Sequence, residues 1–494
     1  MHQHATTLLL IALQIPPWLG LTAFGPGPAA LGSLLALGLW ALLVLCTVLL
    51  HARGARPDLE TSFAGALVLA AALCACMGLL QYFGHARLLG TWVSPGQLGE
   101  AYANLRQRNQ FATLTNLGLV ALLWWQARAQ RAAQPAVWTR SCYALCLLLA
   151  ALLAVGTAAS NSRTGLLQLL LVVLCSLAWR PKSQPWMRSP AGHTVLVAVC
   201  AYAIAAWTLP LMLGTHPGEA GIVARVTDVS ITCQSRTVLW ANVWHLVLQK
   251  PWWGWGWGEL DYAHFITLYP GTRFCDILDN AHNLPLQLAV ELGLPAAVLA
   301  CGALLWWVLR SAPWKETLPG RRLAWAVLGL VGVHSLLEYP LWYGPFQLAT
   351  ATALLLLWHL PRRPGASTLR MWALGGGSAL LLALSALAAL DYWRMTQLYV
   401  PAAQRAAAYR EDTLQKLQGS WLFADYVRFA ELTTTPLQPA NAAHLNALAL
   451  QVLHFSPESK VVRLLIDSAS LLGQDAQAAY YQARFDAAFA NPSP

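Results

Sequence analysis

Residues 141–179 read SCYALCLLLAALLAVGTAASNSRTGLLQLLLVVLCSLAW, 39 residues with one charged side chain, Arg163. A hydrocarbon core of ~30 Å takes about 20 apolar residues as a helix. The stretch therefore reads as two spans, 141–159 and 164–179, with NSRTG between them. The same rule applied outward marks apolar stretches near 6–24, 28–50, 62–82, 110–126, 192–213, 283–309, 322–337, 341–360 and 371–390. The expected fold class is all-α, a polytopic membrane protein with about eleven transmembrane helices. Composition agrees: 57% of residues are hydrophobic and 11% charged, against roughly 25% charged in soluble domains. That balance excludes a soluble enzyme, a disordered chain and a nucleic-acid reader, and it makes the lipid bilayer a partner. No Lys or Arg precedes the first apolar stretch, which runs on into a second, so a retained span is expected in place of a cleaved signal peptide.

With the N-terminus inside, five short loops hold 15 Lys and Arg, among them Arg56, Lys182, Arg362 and Arg363. Only Asp58, Glu60 and Glu316 oppose them, as the positive-inside rule requires. Topology accounts for those charges. It does not call for the outer ones: Arg87, Arg106, Arg108, Arg163, Arg225, Arg236, Lys250 and Arg273. Two outer segments are long, 83–109 and 214–282. After Leu390 the chain turns polar with apolar residues at helical spacing, as in 441–454 and 460–472, where Ser456 and Pro457 open a helix and Gly473 closes it. The expected domains are a transmembrane part, 1–390, including the loop 214–282, and an outer helical domain, 391–494, of tetratricopeptide-like hairpins.

Chemistry is sought on the outer face, where the unusual polar clusters lie. Arg106, Gln107, Arg108, Asn109 and Gln110 enter the fourth span; they read as a solvated helix start, or as cations at a helix N-terminus whose macrodipole a bound anion would relieve. Arg163 at the membrane boundary either snorkels or is paired. Gln234, Ser235 and Arg236 precede Trp240 and Trp244, then PWWGWGWGE at 251–259, whose tryptophans form an interfacial belt or stack on sugar or lipid. DNAHNLPLQLAVELG at 279–293 is the most informative, because His282 can take up a proton near neutral pH and Asp279, Asn280 and Asn283 can orient it. Glu338 and Tyr339 open an outer aromatic turn, EYPLWY. There is no HExxH, no DxD and no Gly-rich Lys loop, so no metal or cofactor is expected.

QRNQFATL, NSRTG, QSRTVLW with PWWGWGWGE, and DNAHNLPLQLAVELG occur in the order and relative positions of the O-antigen ligase superfamily of bacterial polytopic glycosyltransferases. Within it the chain most resembles the protein O-oligosaccharyltransferases of the PglL type, in which HNLPLQLAVELG, EYPLWY and a polar helical tail recur together. The resemblance implies a bacterial inner-membrane enzyme working on the periplasmic face. It would move a preassembled glycan from undecaprenyl pyrophosphate to a hydroxyl of a periplasmic protein such as a pilin. By position, His282 matches the family's essential histidine, and Arg163 and Arg236 match arginines that hold the pyrophosphate. Gln107 or Gln110, and Tyr339, match polar residues near the site, with Arg108 beside them. The first two spans carry no motif.

Rival readings keep the same donor: an O-antigen ligase acting on lipid A-core, or an O-antigen polymerase. The tail favours a protein acceptor, since helix-hairpin repeats commonly make protein-binding surfaces. A transporter of lipid-linked glycan is the rival from another class, with Glu291 and His334 as its intramembrane candidates. Eight of the ten cysteines lie in apolar spans, whereas Cys233 and Cys275 share the loop 214–282. An oxidising periplasm permits them to pair, and the bridge would contribute ~3 to 4 kcal/mol in the chain-entropy model. Two unpaired thiols sharing a loop is the plainer alternative.

Overall fold

The computed structural model describes residues 2–20, 28–55, 57–131, 140–180, 185–227, 232–359 and 368–490. Of the inside-loop cations, Arg56, Lys182, Arg362 and Arg363 lie outside the described residues. Among the described residues every regular element is helical. The stretch 6–24 is not one helix: α1 (His2–Ala12) ends early, a 3-10 turn follows at Pro16–Leu19, and 21–24 lie outside the described residues. Other stretches become α2 (Pro28–Ala52), α3 (Leu59–Tyr82), α4 (Arg108–Arg131), α5 (Arg140–Ala159), α6 (Arg163–Ala178), α7 (Pro190–Met212), α13 (Pro319–Ser335), α14 (Gly344–His359) and α15 (Thr368–Thr396). Within the loop 214–282 are α8 (Gly221–Thr227), α9 (Arg236–Gln249) and α10 (Leu260–Ile266). Among the described residues six helices are long and apolar enough to cross a membrane: Ala30–Ala52, Leu59–Tyr82, Arg140–Ala159, Pro190–Met212, Leu294–Lys315 and Met371–Thr396.

The stretch 283–309 is not one helix. It divides into α11 (Leu284–Leu292) and α12 (Leu294–Ser311) at Gly293, whose φ is +87°. A Cβ on Gly293 would lie 2.2 Å from the Trp252 carbonyl oxygen, so only glycine admits the tryptophan-rich loop so close. That loop then bonds to the break, Trp255 N–H to the Val290 carbonyl and Leu294 N–H to the Pro251 carbonyl, each at 2.8 Å.

The chain forms two compact units, the first comprising 1–229 and 308–386. Its centre is α4, which packs on α3, α5, α6 and α13. Every residue from Gln110 to Leu122 is buried. Helix α4 can therefore carry Thr113, Thr115 and Asn116, because neighbouring helices take their hydrogen bonds where lipid could not. Thr115 Oγ1 meets Thr157 Oγ1 at 2.7 Å, and Asn116 Nδ2 donates to the Gly165 carbonyl at 3.2 Å. Gly165 makes the second contact possible, since a Cβ there would lie 2.6 Å from that of Ala112.

The second unit comprises 230–307 and 387–494. Leu239, Val243 and Leu246 of α9 form a core with Leu260, Ala281 and Val290. The tail contributes α16 (Thr413–Leu417), α17 (Ala424–Thr434), α18 (Ala442–Val452), α19 (Ser459–Leu471) and α20 (Asp475–Phe485), and from α17 on each packs against the next. Val461, Val462, Leu465 and Ala469 line the buried face of α19 at helical spacing. Helix α10 joins loop to tail: Phe265 enters the tail's core, the Tyr262 and His454 rings stack at 3.8 Å, and Arg484 Nε donates to the Ile266 carbonyl at 2.9 Å.

Cys233 and Cys275 form a disulfide across 42 residues, closing the loop segment that carries α9 and α10. The other eight cysteines form no disulfide among the described residues. Thiol labelling of denatured, unreduced protein should therefore modify those eight and spare Cys233 and Cys275. Labelling of this pair before reduction would contradict the bridge.

Candidate functional site

Arg163 and Arg236 occupy the same local geometry. Each is the first residue of a helix capped by the preceding serine: Ser162 Oγ accepts the Gly165 N–H at 2.9 Å, and Ser235 Oγ accepts the Val238 N–H at 3.4 Å. A serine hydroxyl satisfies a free backbone donor while the guanidinium stands where the helix macrodipole is positive, an arrangement that an anion stabilises. Arg163 is exposed and, among the described residues, forms no ion pair or side-chain hydrogen bond. Arg236 is half-buried and partnered.

In the first unit the polar run entering α4 divides its labour. Gln107 caps the helix, its Oε1 accepting the Gln110 N–H at 2.7 Å. Arg108 pairs with Glu100 at 3.3 Å, so a carboxylate of the chain already relieves part of the charge conflict expected there. Gln110 is buried in α4, and Tyr339 stacks on Tyr343 at 5.6 Å. The organising residue is Asn109. Its Nδ2 donates to Glu338 Oε1 at 2.9 Å, and its Oδ1 accepts from Ser162 Oγ at 2.6 Å. One amide thus joins the QRNQ run, the serine next to Arg163 and the EYP turn. One turn further on, Thr113 Oγ1 contacts His334 Nδ1 at 2.9 Å and Gln168 Oε1 at 3.0 Å.

In the second unit Ala281, the residue before His282, is clamped through both of its backbone groups. Trp240 Nε1 donates to the Ala281 carbonyl at 3.1 Å, and Gln287 Oε1 accepts the Ala281 N–H at 2.6 Å. Trp240 lies one turn beyond Arg236 on the same face of α9, so the arginine's helix is the one that grips the histidine's loop. His282 itself has φ +50°, a left-handed conformation costing of order 1 kcal/mol in a residue other than glycine. Its N–H donates to Asn280 Oδ1 at 2.8 Å, and Asn283 caps α11. The protein packed around Asp279 raises its carboxyl above the usual range, while the charge of nearby His282 lowers it. A carboxylate thus sits within electrostatic reach of the imidazole. Beside this segment, burial holds His264 neutral with its pKa lowered to about 3 and lifts Asp261 to about 7.

Trp252, Trp253 and Trp257 remain largely exposed, whereas Trp255 donates to the Leu246 carbonyl at 3.0 Å under the Lys250 ammonium. His334 contacts Thr113, and Glu291 accepts the Gly258 N–H at 2.9 Å, while His334 Nε2 and Glu291 Oε2 are buried without a hydrogen-bond partner among the described residues.

Three family models match: "O-Antigen ligase" over residues 148–301, "Protein glycosylation ligase" over 101–125, and "Virulence factor membrane-bound polymerase, C-terminal" over 322–493. The first covers NSRTG, QSRTV and His282, the second the QRNQ run, and the third the EYP turn and tail. A general O-oligosaccharyltransferase of Acinetobacter baylyi is 26% identical over 334 residues, 65% of this chain and 54% of that relative. The chain thus spans about half the length of the curated relative it matches. These matches and the apolar helices support a multi-pass membrane protein that resembles the O-antigen ligase superfamily, most closely its PglL-like branch.

Replacing Asn109 with alanine leaves the buried Ser162 hydroxyl and Glu338 carboxylate short of a partner, a cost of about 1–3 kcal/mol. Thermal unfolding in detergent should show a lower midpoint for Asn109→Ala, with the exposed Arg106→Ala unchanged. Equal midpoints for both variants and the parent would mean the amide joins nothing of consequence.

Proposed function

We propose that the protein transfers a preassembled glycan from undecaprenyl pyrophosphate to a Ser or Thr hydroxyl of a periplasmic acceptor protein such as a pilin. The observation that carries the reading is the clamped His282 loop, gripped by the helix that begins with Arg236. In the reaction neutral His282 takes the proton of the acceptor hydroxyl as its oxygen attacks the anomeric carbon. The bond from that carbon to the phosphate oxygen breaks, its electron pair goes to the pyrophosphate, and the configuration inverts. Arg163 and Arg236 stabilise the charge that develops on the leaving group. Asp279 stabilises the imidazolium that forms. Gln107 and Arg108 are committed to the cap and to Glu100, which leaves Gln110 and Tyr339 as the polar neighbours closest in role to the family's.

The reading carries eleven crossings of the bacterial inner membrane with the N-terminus in the cytoplasm, so the loop 214–282 and the domain 391–494 face the periplasm. There the tail recruits the acceptor. Transfer to lipid A-core is the second reading; the packing of the tail on α10, beside the histidine's loop, favours a protein acceptor. Transport is disfavoured because the unusual polar clusters lie in the loops and at the ends of the apolar stretches, with few ionisable residues inside them.

His282→Ala should lower transfer by ~10² or more while donor binding is kept. Arg163→Ala and Arg236→Ala should also weaken donor binding. Transfer at the parental rate by His282→Ala overturns the catalytic assignment. For topology, protease added to spheroplasts should clip the tail and leave the cytoplasmic loops intact; a protected tail contradicts the eleven crossings.

A further inference from the structure

Besides the groups assigned above, the first unit holds an open cavity of about 650 Å³, within the ~300–1,000 Å³ of ligand sites. Tyr82 at the end of α3, Asn161 just before α6, Leu213 at the end of α7, and Glu219 and Arg225 around α8 contribute to its wall, with Glu100 beside them. Its lining mixes carboxylates, an amide and a guanidinium with apolar faces. Asn161 is buried, with φ +54°, and its Nδ2 donates to the Gly99 carbonyl at 2.8 Å. That bond leaves its Oδ1 on the side of Gly221, 3.7 Å from where a Cβ would stand, and Gly221 also lines the cavity. Among the described residues, neither the Glu219 carboxylate nor the Arg225 guanidinium has a hydrogen-bond or ion-pair partner, although both face this one space.

We infer that this cavity holds the sugar of the lipid-linked donor that is attached to the pyrophosphate, an inference that rests on the function proposed above. A pyranose presents hydroxyls around its edge, which donate to carboxylates and accept from a guanidinium, and C–H faces that pack on Tyr82 and Leu213. A lipid tail would leave the charged groups without partners. A second pyrophosphate would face the Glu100 and Glu219 carboxylates. The position fits the donor's own order: Asn161 is two residues from Arg163, and Glu100 is held by Arg108 at 3.3 Å. The pyrophosphate on Arg163 therefore has its first sugar beside it in the cavity.

The test uses purified full-length protein and two probes, a short-chain polyprenyl diphosphate carrying one hexose and the same lipid without sugar. The parent should bind the sugar-bearing probe roughly tenfold or more tightly than the bare one. Glu219→Ala and, independently, Arg225→Ala should bring that ratio near unity while affinity for the bare probe stays within about twofold, which also reports that the fold is intact. A preference that survives both substitutions overturns the inference. So does an equal loss for both probes, and so does a change confined to the KM for acceptor, which would make the cavity an acceptor site. Failure of the parent to bind either probe overturns the donor reading itself, and this inference with it.

Discussion

A polar group buried in a helical bundle within hydrocarbon must find its partner inside the protein, because the lipid offers none. That constraint places α4 at the centre of the first unit. The helix is too polar to face lipid, yet Thr113, Thr115 and Asn116 are each bonded to α5, α6 or α13. The same bonding continues to the helix end, where Asn109 spends both ends of its amide on Ser162 and Glu338. The residue next to Ser162 is Arg163, so the packing of the bundle fixes where an exposed guanidinium stands.

The second unit solves a related problem by different means. Its loop has no long helix to hold it, and a disulfide, an indole bond and a glutamine hold it in place of one. The indole and the glutamine converge on one residue, Ala281, and His282 after it has a left-handed backbone conformation. Strain of this kind persists only where surrounding contacts over-determine it, and it clusters at sites that do chemistry. An imidazole with a carboxylate near it and an arginine on the adjoining helix suits proton removal coupled to departure of an anion.

Much of this was legible in the sequence because hydrophobic length and charge balance depend on local chemistry. Most of the apolar stretches reappear as single helices, the stretches 441–454 and 460–472 fall on α18 and α19, and the two loop cysteines pair. What was not legible is whatever depends on contacts distant in sequence. A loop some 40 residues earlier folds onto the break at Gly293, and although Gly293 and Pro295 mark the place in the sequence, nothing there announces that contact. Asn109 was one amide among three; only its bonds to residues 53 and 229 positions away single it out. Trp240 read only as a ring at helical spacing after Arg236, and its indole N–H is what grips the histidine's loop. Arg108 read as an anion ligand, and Glu100 already neutralises it in part.

The central claim is that a glycan leaves a lipid pyrophosphate for a protein hydroxyl, and mass addresses it directly. The purified protein, reconstituted in liposomes with glycan-loaded undecaprenyl pyrophosphate, is given a pilin-like acceptor and lipid A-core together, and the masses of both are read over time. The account predicts that the acceptor protein gains the mass of one whole glycan, matched by release of undecaprenyl pyrophosphate, while lipid A-core is unchanged. Transfer to lipid A-core alone, or an acceptor that stays unmodified while the donor remains intact, would contradict it.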